Sequence, residues 1–186
     1  MSDEWRTEIG RISEDVLALT KFHVSFWTEA EFNNFIDNMK HHIETYLHIW
    51  FMGYFDNSFV KKIEKYYTGP HVERIDMRVL SLPFKKDTLG KKNKTVLEKL
   101  SRIGVEVKLR EHLHGRMMLL LPEMGVRSEV VIGSFDFTKE SFSGEKTNVG
   151  IHTTHPDIVA SAKALFDQIW KSDDTVTLID YIDTNW

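Results

Sequence analysis

The 186-residue chain contains no cysteine. Disulfide scaffolds, thiolate zinc sites, iron–sulfur clusters and cysteine nucleophiles are therefore excluded. Proline is scarce as well, with four residues at 70, 83, 122 and 156, each standing alone between periodic segments. There is no repeat, no low-complexity stretch and no Pro-, Gly- or Ser-rich linker. That pattern describes one folding unit with punctuated turns rather than a string of modules. No apolar run approaches the roughly 18–20 residues that a membrane-spanning helix needs. The first residues, Met1-Ser2-Asp3-Glu4-Trp5, are polar and acidic, unlike a signal or transit peptide. These absences lead to the expectation of a reducing, cytoplasmic setting with no membrane span.

What is present has globular proportions. Hydrophobic residues make up 41%, charged residues 28% and aromatic residues 12%, values that leave out disordered and fibrous classes. The length suits one domain with a core of its own. Net charge is −4, so the whole chain is not a cationic nucleic-acid binder. The charge is uneven, however. Residues 85–110 hold nine basic groups against three acids, a net +6 that leaves −10 for the remainder. Such a segment could meet phosphates, and it reads equally as a solvated helix face and loop.

Periodicity gives an alternating layout. Before Thr28, Ile9, Ile12, Val16 and Leu19 have helical spacing, so residues 1–27 read as an N-terminal helix. Phe32, Phe35, Ile36 and Met39 form a helix stripe, and Ile43 to Met52 reads as a strand rich in β-branched and aromatic residues. Asp56 or Asn57 caps a helix with the stripe Phe59, Val60, Ile63, Tyr66 and Tyr67, stopped by Gly69-Pro70. Ile75, Met77 and Val79 alternate as a strand. Val96, Leu97, Leu100 and Ile103 form a helix that Gly104 ends, and Val105 to Leu109 is a strand. Leu113 to Leu121 and Glu129 to Ser134 are two further apolar runs, with the chain turning at Pro122 to Arg127. Asn148 to Thr153 is a short strand. Pro156 opens a helix with the stripe Ile158, Val159, Ala162, Leu165, Phe166, Ile169 and Trp170. The expected class is α/β, a single domain over 1–186 with its core at about 30–171. The tail from Thr175 to Trp186 reads as a last strand or a partner-binding strap.

Chemistry concentrates in residues 112–151. On a strand, His112, His114 and Arg116 would share one face, continued by Met118 and Leu120. A second strand would carry Gly133 and Ser134. If the two pair as neighbours, His114, Arg116 and Ser134 converge into a phosphate site. Arginine offers a planar, permanently charged fork to phosphate oxygens. Histidine acts as nucleophile or general acid/base near neutral pH. Glycines at 115 and 133 would admit a ligand or a second backbone. Alternatives stand beside this reading. The histidines could be surface or satisfied core residues, or His112 and His114 could be two ligands of a zinc site, although no third ligand is evident.

His114-Gly115-Arg116, followed by Gly133-Ser134-Phe135-Asp136-Phe137-Thr138, resembles the phospholipase D superfamily signature of His-x-Lys, then Asp, then Gly-Ser-x-Asn. Gly104-Val105-Glu106-Val107 resembles the strand that leads to the family's histidine, and Ile151 through Trp170 resembles its closing helix. The resemblance covers roughly residues 30–171. It implies a phospholipase D-like domain, a mixed sheet flanked by helices on both faces. It further implies phosphodiester hydrolysis through a phosphohistidine, with no metal and no organic cofactor. His114 would match the catalytic histidine. Arg116 stands where the family has the phosphate-binding lysine, and Ser134 matches the motif serine. Asp136 stands where the family has asparagine, and would orient His114 or Arg116. His112, Gly133 and Glu145 would contact substrate, with Glu145 near the family's following glutamate. The family aspartate falls on Leu121, its role lost or moved to Glu123 or Glu129. The interval between His114 and Gly133 is also longer than the pattern. Asp136 places a carboxylate where a neutral amide would greet phosphate, so it repels a phosphodiester unless it pairs with Arg116 or is protonated.

Only one motif copy is present. Family members of that kind complete the site by dimerising, so the resemblance implies a homodimer with His114 opposite its own copy. Two functions follow. One is a phosphodiesterase, nuclease-like, acting on a phosphodiester or nucleic acid. The alternative is a catalytically inactive domain that binds a phosphate-bearing ligand or nucleic acid as a sensor or partner module. A purely structural interaction domain is a third reading. Tyr46, His48, Trp50 and Tyr54 read as residues near the site, one of which could stack on a base or ring. His152 and His155 read as surface and capping residues, and Trp27, Trp50, Phe51 and Trp170 as core.

Overall fold

The computed structural model describes residues 24–67, 74–122, 127–143 and 147–186. Among the described residues eight strands form one sheet: β1 (Val24–Trp27), β2 (His48–Met52), β3 (Asp76–Ser81), β4 (Glu106–Arg110), β5 (Met117–Leu121), β6 (Glu129–Gly133), β7 (Gly150–Thr153) and β8 (Thr175–Thr177). Their spatial order is β1-β7-β6-β5-β2-β3-β4-β8. Among the described residues the helices are α1 (Glu29–Asp37), α2 (Met39–Thr45), α3 (Asn57–Tyr66), α4 (Thr88–Arg102), α5 (Lys139–Phe142), α6 (Pro156–Trp170) and α7 (Leu178–Asn185). Strands β2, β3 and β4 run parallel, whereas β5 is antiparallel to β2 and the ladder continues antiparallel through β6 and β7 to β1. The architecture is the expected α/β one, a mixed sheet with helices on both faces.

Local chemistry starts and stops these helices. Thr28 and Glu31 form a reciprocal capping box at α1. Asp56 caps α3 by accepting the Ser58 and Phe59 N–H groups. Asp87 caps α4 through the Gly90 N–H at 2.6 Å. Gly104, just past the end of α4, takes a φ of +95°, the left-handed turn that glycine supplies most cheaply.

Alternating side chains of the central strands divide the interior into two layers. Ile49, Phe51, Met77, Val79, Met118, Leu120 and Val131 face α1–α4, with Leu178 of α7 in the same layer. Trp50, Met52, Leu80, Met117, Leu119 and Val130 face α6, where they meet Val159, Ala162, Phe166 and Trp170. Ile158 and Leu165, expected in that stripe, lie outside it and are exposed. Helix α6 stops short of the β1 side of the sheet, and register there aligns Phe26 with Ile151 and Ile151 with Ile132. These three form an exposed apolar row, Phe26 at 83%.

Two expectations change, and the tail takes the first of its two readings as a short strand. Ile43–Thr45 is helical and β2 begins only at His48. Met39 and Ile43 are both buried one turn apart, so the helical period resumes in α2 after the break at Asn38. Within the expected N-terminal helix, Val24–Trp27 is strand β1; the rest of that segment lies outside the described residues. The tail supplies β8, paired with β4, followed by α7.

A polar cluster lies beneath α1 and α2. The Tyr46 hydroxyl donates to Glu129 Oε1 at 2.5 Å, and His152 Nε2 lies 2.8 Å from Glu129 Oε2. His152 is therefore buried rather than a surface residue, with Trp27 stacked on its ring at 4.7 Å. Burial pushes the Glu129 carboxyl up, but hydrogen bonds from His152 and Tyr46 outweigh it and hold the group below its ordinary value. His42 stacks on Phe35, and its Nε2 lies 3.1 Å from the Phe35 carbonyl. Burial lowers its pKa from 6.5 to about 4.

The unfolded chain therefore takes up the His42 proton before the fold does. The stability this group contributes is whole above pH 6.5 and is lost progressively as pH falls toward 4. Linkage over that window predicts that the wild type loses about 2 kcal/mol more than His42→Leu between pH 7 and pH 5. Urea unfolding at the two pH values measures the difference.

Candidate functional site

Strand direction determines where chemistry collects. The carboxyl ends of β1, β2 and β6 share one edge of the sheet with the amino ends of β5 and β7. In open α/β sheets, ligands bind beyond the carboxyl ends of the parallel strands, where direction or order switches. Here the switch is between β2 and β5.

His112, His114 and Arg116 precede β5 rather than lie on it, which corrects the expectation of one shared strand face. Residues 111–112 form a turn in which His112 has a φ of +57°, and 113–116 lead into Met117 without strand structure. All of Met117 to Leu121 is buried, so the strand starts where side chains on both faces can be apolar. His112 and His114 are exposed, and His114 makes no hydrogen bond or ion pair with any described residue. The β5–β6 ladder extends one step beyond the strands, because the Gly133 N–H donates to the Arg116 carbonyl at 3.2 Å.

Arg116 meets Asp136 rather than Ser134. Its Nε donates to Asp136 Oδ1, and its Nη1 donates to the Gly115 carbonyl at 3.0 Å. The Tyr54 N–H also donates to Asp136 Oδ1, at 3.4 Å, and the Asp136 N–H donates to Ser141 Oγ at 3.2 Å. Gly53 makes room for the arginine, since a Cβ there would stand 3.1 Å from Arg116 Cδ and 3.0 Å from Phe137. The guanidinium is thus packed and aimed, with Asp136 offsetting part of its charge.

Ser134 Oγ accepts the Val149 N–H at 3.1 Å, and the Ser134 N–H donates to the Val149 carbonyl at 2.9 Å. It ties the end of β6 to the start of β7. A Cβ on Gly133 would stand 2.6 Å from the Val149 carbonyl, so only glycine permits that approach. Glu145 and Glu123 lie outside the described residues. Leu121 is buried, and Glu129 serves Tyr46 and His152 away from this edge, so it does not replace the family's aspartate beside Arg116. Among the described residues no group of three or more His, Asp or Glu side chains is placed to hold a metal ion.

Tyr54, expected among the stackers, is at the site. Tyr46 binds Glu129, and His48 and Trp50 bind Asp76 at 3.0 and 3.1 Å, with Trp50 on the α6 face. Tyr54 and Asp136 also belong to a cleft of about 920 Å³ whose wall includes Lys61, Lys92, Asn93 and Lys139. Sequence reasoning marked Lys92 as part of the basic segment but missed Lys61, Asn93 and Lys139. No motif joins them, because they come from three separate elements.

Neither a protein-family model nor a curated protein sequence matches the chain. Solved structures do. The phospholipase D family member Nuc from Salmonella typhimurium is similar at a TM-score of 0.61 and 13% identity, over 84% of this chain and 97% of that one. NucT from Helicobacter pylori gives 0.61 and 12%, over 84% and 99%. The phosphatidylserine synthase of Haemophilus influenzae gives 0.64 and 13%, over 83% of this chain and 38% of that one. The chain has the phospholipase D fold.

Proposed function

We propose that the protein is a phospholipase D-type phosphodiesterase, nuclease-like, with His114 as its nucleophile. One observation carries the reading. An exposed imidazole stands two residues ahead of a guanidinium held in place at the switch edge of this fold. An imidazole nitrogen of His114 attacks phosphorus and forms the N–P bond as the P–O bond to the leaving group breaks. The leaving oxygen takes a proton from a second histidine, and water then cleaves the N–P bond. Arg116 steadies the phosphoryl oxygens through the donors that Asp136 leaves unused.

The second histidine is the partner copy's His114 in a homodimer. The exposed row of Phe26, Ile151 and Ile132 ends one residue before Gly133, at the edge that carries the site. A second copy covering that row would bring the two sites together under twofold symmetry.

A second reading rests on Asp136. By pairing with Arg116 it reduces the charge available to a phosphate, which favours a domain that binds phosphate-bearing ligands without turnover. The wild type is expected to release nitrophenol from bis-p-nitrophenyl phosphate in excess EDTA, with His114→Ala slower by about a thousandfold. Phosphate binding without turnover, unaffected by His114→Ala, would establish the second reading instead. Asp136→Asn keeps the oxygen that Tyr54 uses and frees the guanidinium, so inorganic phosphate should inhibit about tenfold more tightly, a gain of ~1.4 kcal/mol. In sedimentation, Phe26→Ser/Ile151→Ser is expected to shift the dimer to monomer and abolish turnover with it. A fully active monomer would remove the shared site.

A further inference from the structure

The cleft beside the Arg116–Asp136 pair carries more than the reaction requires. Its walls are the start of α3, the middle of α4 and residues 136–140. The ammonium groups of Lys61, Lys92 and Lys139 point to no acidic partner among the described residues, and all three side chains are exposed. Three carboxylates share the lining, those of Asp56, Asp136 and Glu140. Asp56 accepts the Ser58 and Phe59 N–H groups on one oxygen and the Lys139 N–H at 2.7 Å on the other, and Asp136 holds Arg116. With Lys99, which donates to Asn57 Oδ1 at 2.8 Å, the lining counts four lysines against three carboxylates, a net charge of +1.

Asn93 adds a second, independent observation. It lines the cleft at 5% exposure, and its Oδ1 is buried with no donor. A buried acceptor without a partner is costly, and natural folds seldom leave one that neither a ligand nor a water completes. Lysines call for phosphates, while a buried acceptor calls for a neutral N–H or O–H on the same ligand. Polyphosphate lacks the second group. A nucleotide chain has both, and Tyr54 on the same wall offers a ring on which a base can stack. Base edges inside a duplex cannot reach an acceptor at that depth.

We infer that this cleft is the track for a short single-stranded nucleic acid. Its phosphates lie on Lys61, Lys92 and Lys139, and a base or sugar donor reaches Asn93. The strand passes from the Arg116–Asp136 edge, through Asp136 and Tyr54, into the space between α3 and α4. The inference names the substrate class of the phosphodiesterase reading, but binding in the cleft stands apart from turnover.

The test is fluorescence anisotropy with a labelled eight-nucleotide DNA strand, on His114→Ala protein so that the probe survives. Adding Lys61→Glu/Lys92→Glu/Lys139→Glu is expected to weaken binding about a hundredfold at low salt. It should also reduce the salt slope by about 2, since each single-strand phosphate contact contributes roughly 0.7. Circular dichroism checks that the surface substitutions leave the fold intact. Asn93→Ala is expected to weaken the oligonucleotide about tenfold and to leave tripolyphosphate unchanged. Unchanged oligonucleotide binding in the triple variant would overturn the inference. So would tripolyphosphate binding as tightly as the oligonucleotide with no effect of Asn93→Ala, or tighter binding of the eight-base-pair duplex. Loss of hydrolysis in the wild type with intact cleft binding would reject the phosphodiesterase reading alone.

Discussion

Strand β5 is buried on both faces along its whole length, and much of the molecule follows from that constraint. A strand covered on both sides must be apolar throughout, so polar residues are forced beyond its ends. His112, His114 and Arg116 are those residues at the amino end. Because β5 runs against β2, its amino end meets the carboxyl end of β2. The histidine and arginine therefore emerge where the backbone of Gly53 and Tyr54 turns away from the sheet. The two layers, α1–α4 on one side and α6 on the other, supply the cover that makes this necessary.

The second layer is held by more than apolar contact. Arg78 lies over the rings of Trp50 and Trp170 at 4.7 and 5.4 Å while its Nε donates to Asp76 at 2.9 Å. Lys108 lies over Trp170 and donates to its carbonyl at 3.2 Å. Arg78 gains both from the indole faces and from the Asp76 carboxylate, and Lys108 from an indole face and a carbonyl. The helix that resembles the family's closing helix is thus fastened to the parallel half of the sheet by charge as well as by shape.

Much of this was legible in the sequence. Helices α3, α4 and α6 announced themselves through periodic apolar residues, with Asp56, Gly104 and Pro156 marking boundaries, and β3 and β4 through alternation. The Arg116–Asp136 pair was foreseeable, because one fixed cation and one misplaced carboxylate had to find partners. Other features were hidden for physical reasons. His112 to Arg116 alternate as a strand would, but the backbone turns at His112. Ile43 to Met52 has strand composition, yet its first residues complete a helix whose buried face begins at Met39. The cleft was hidden because Lys61, Asn93 and Lys139 are distant in sequence and meet only when α3, α4 and the 136–140 segment pack.

Asp56 joins two of those elements through a single rigid group. One of its oxygens holds the first turn of α3, and the other holds the amide of Lys139 at 2.7 Å. The beginnings of two cleft walls are thereby kept apart by no more than the width of a carboxylate. Lys61 and Lys139 rise from those anchored beginnings, so the backbone beneath two of the three cationic contacts is set before any ligand arrives. Preorganisation of this kind leaves less ordering entropy to be lost at the moment of binding, and affinity then depends on the ligand's own flexibility more than on the protein's.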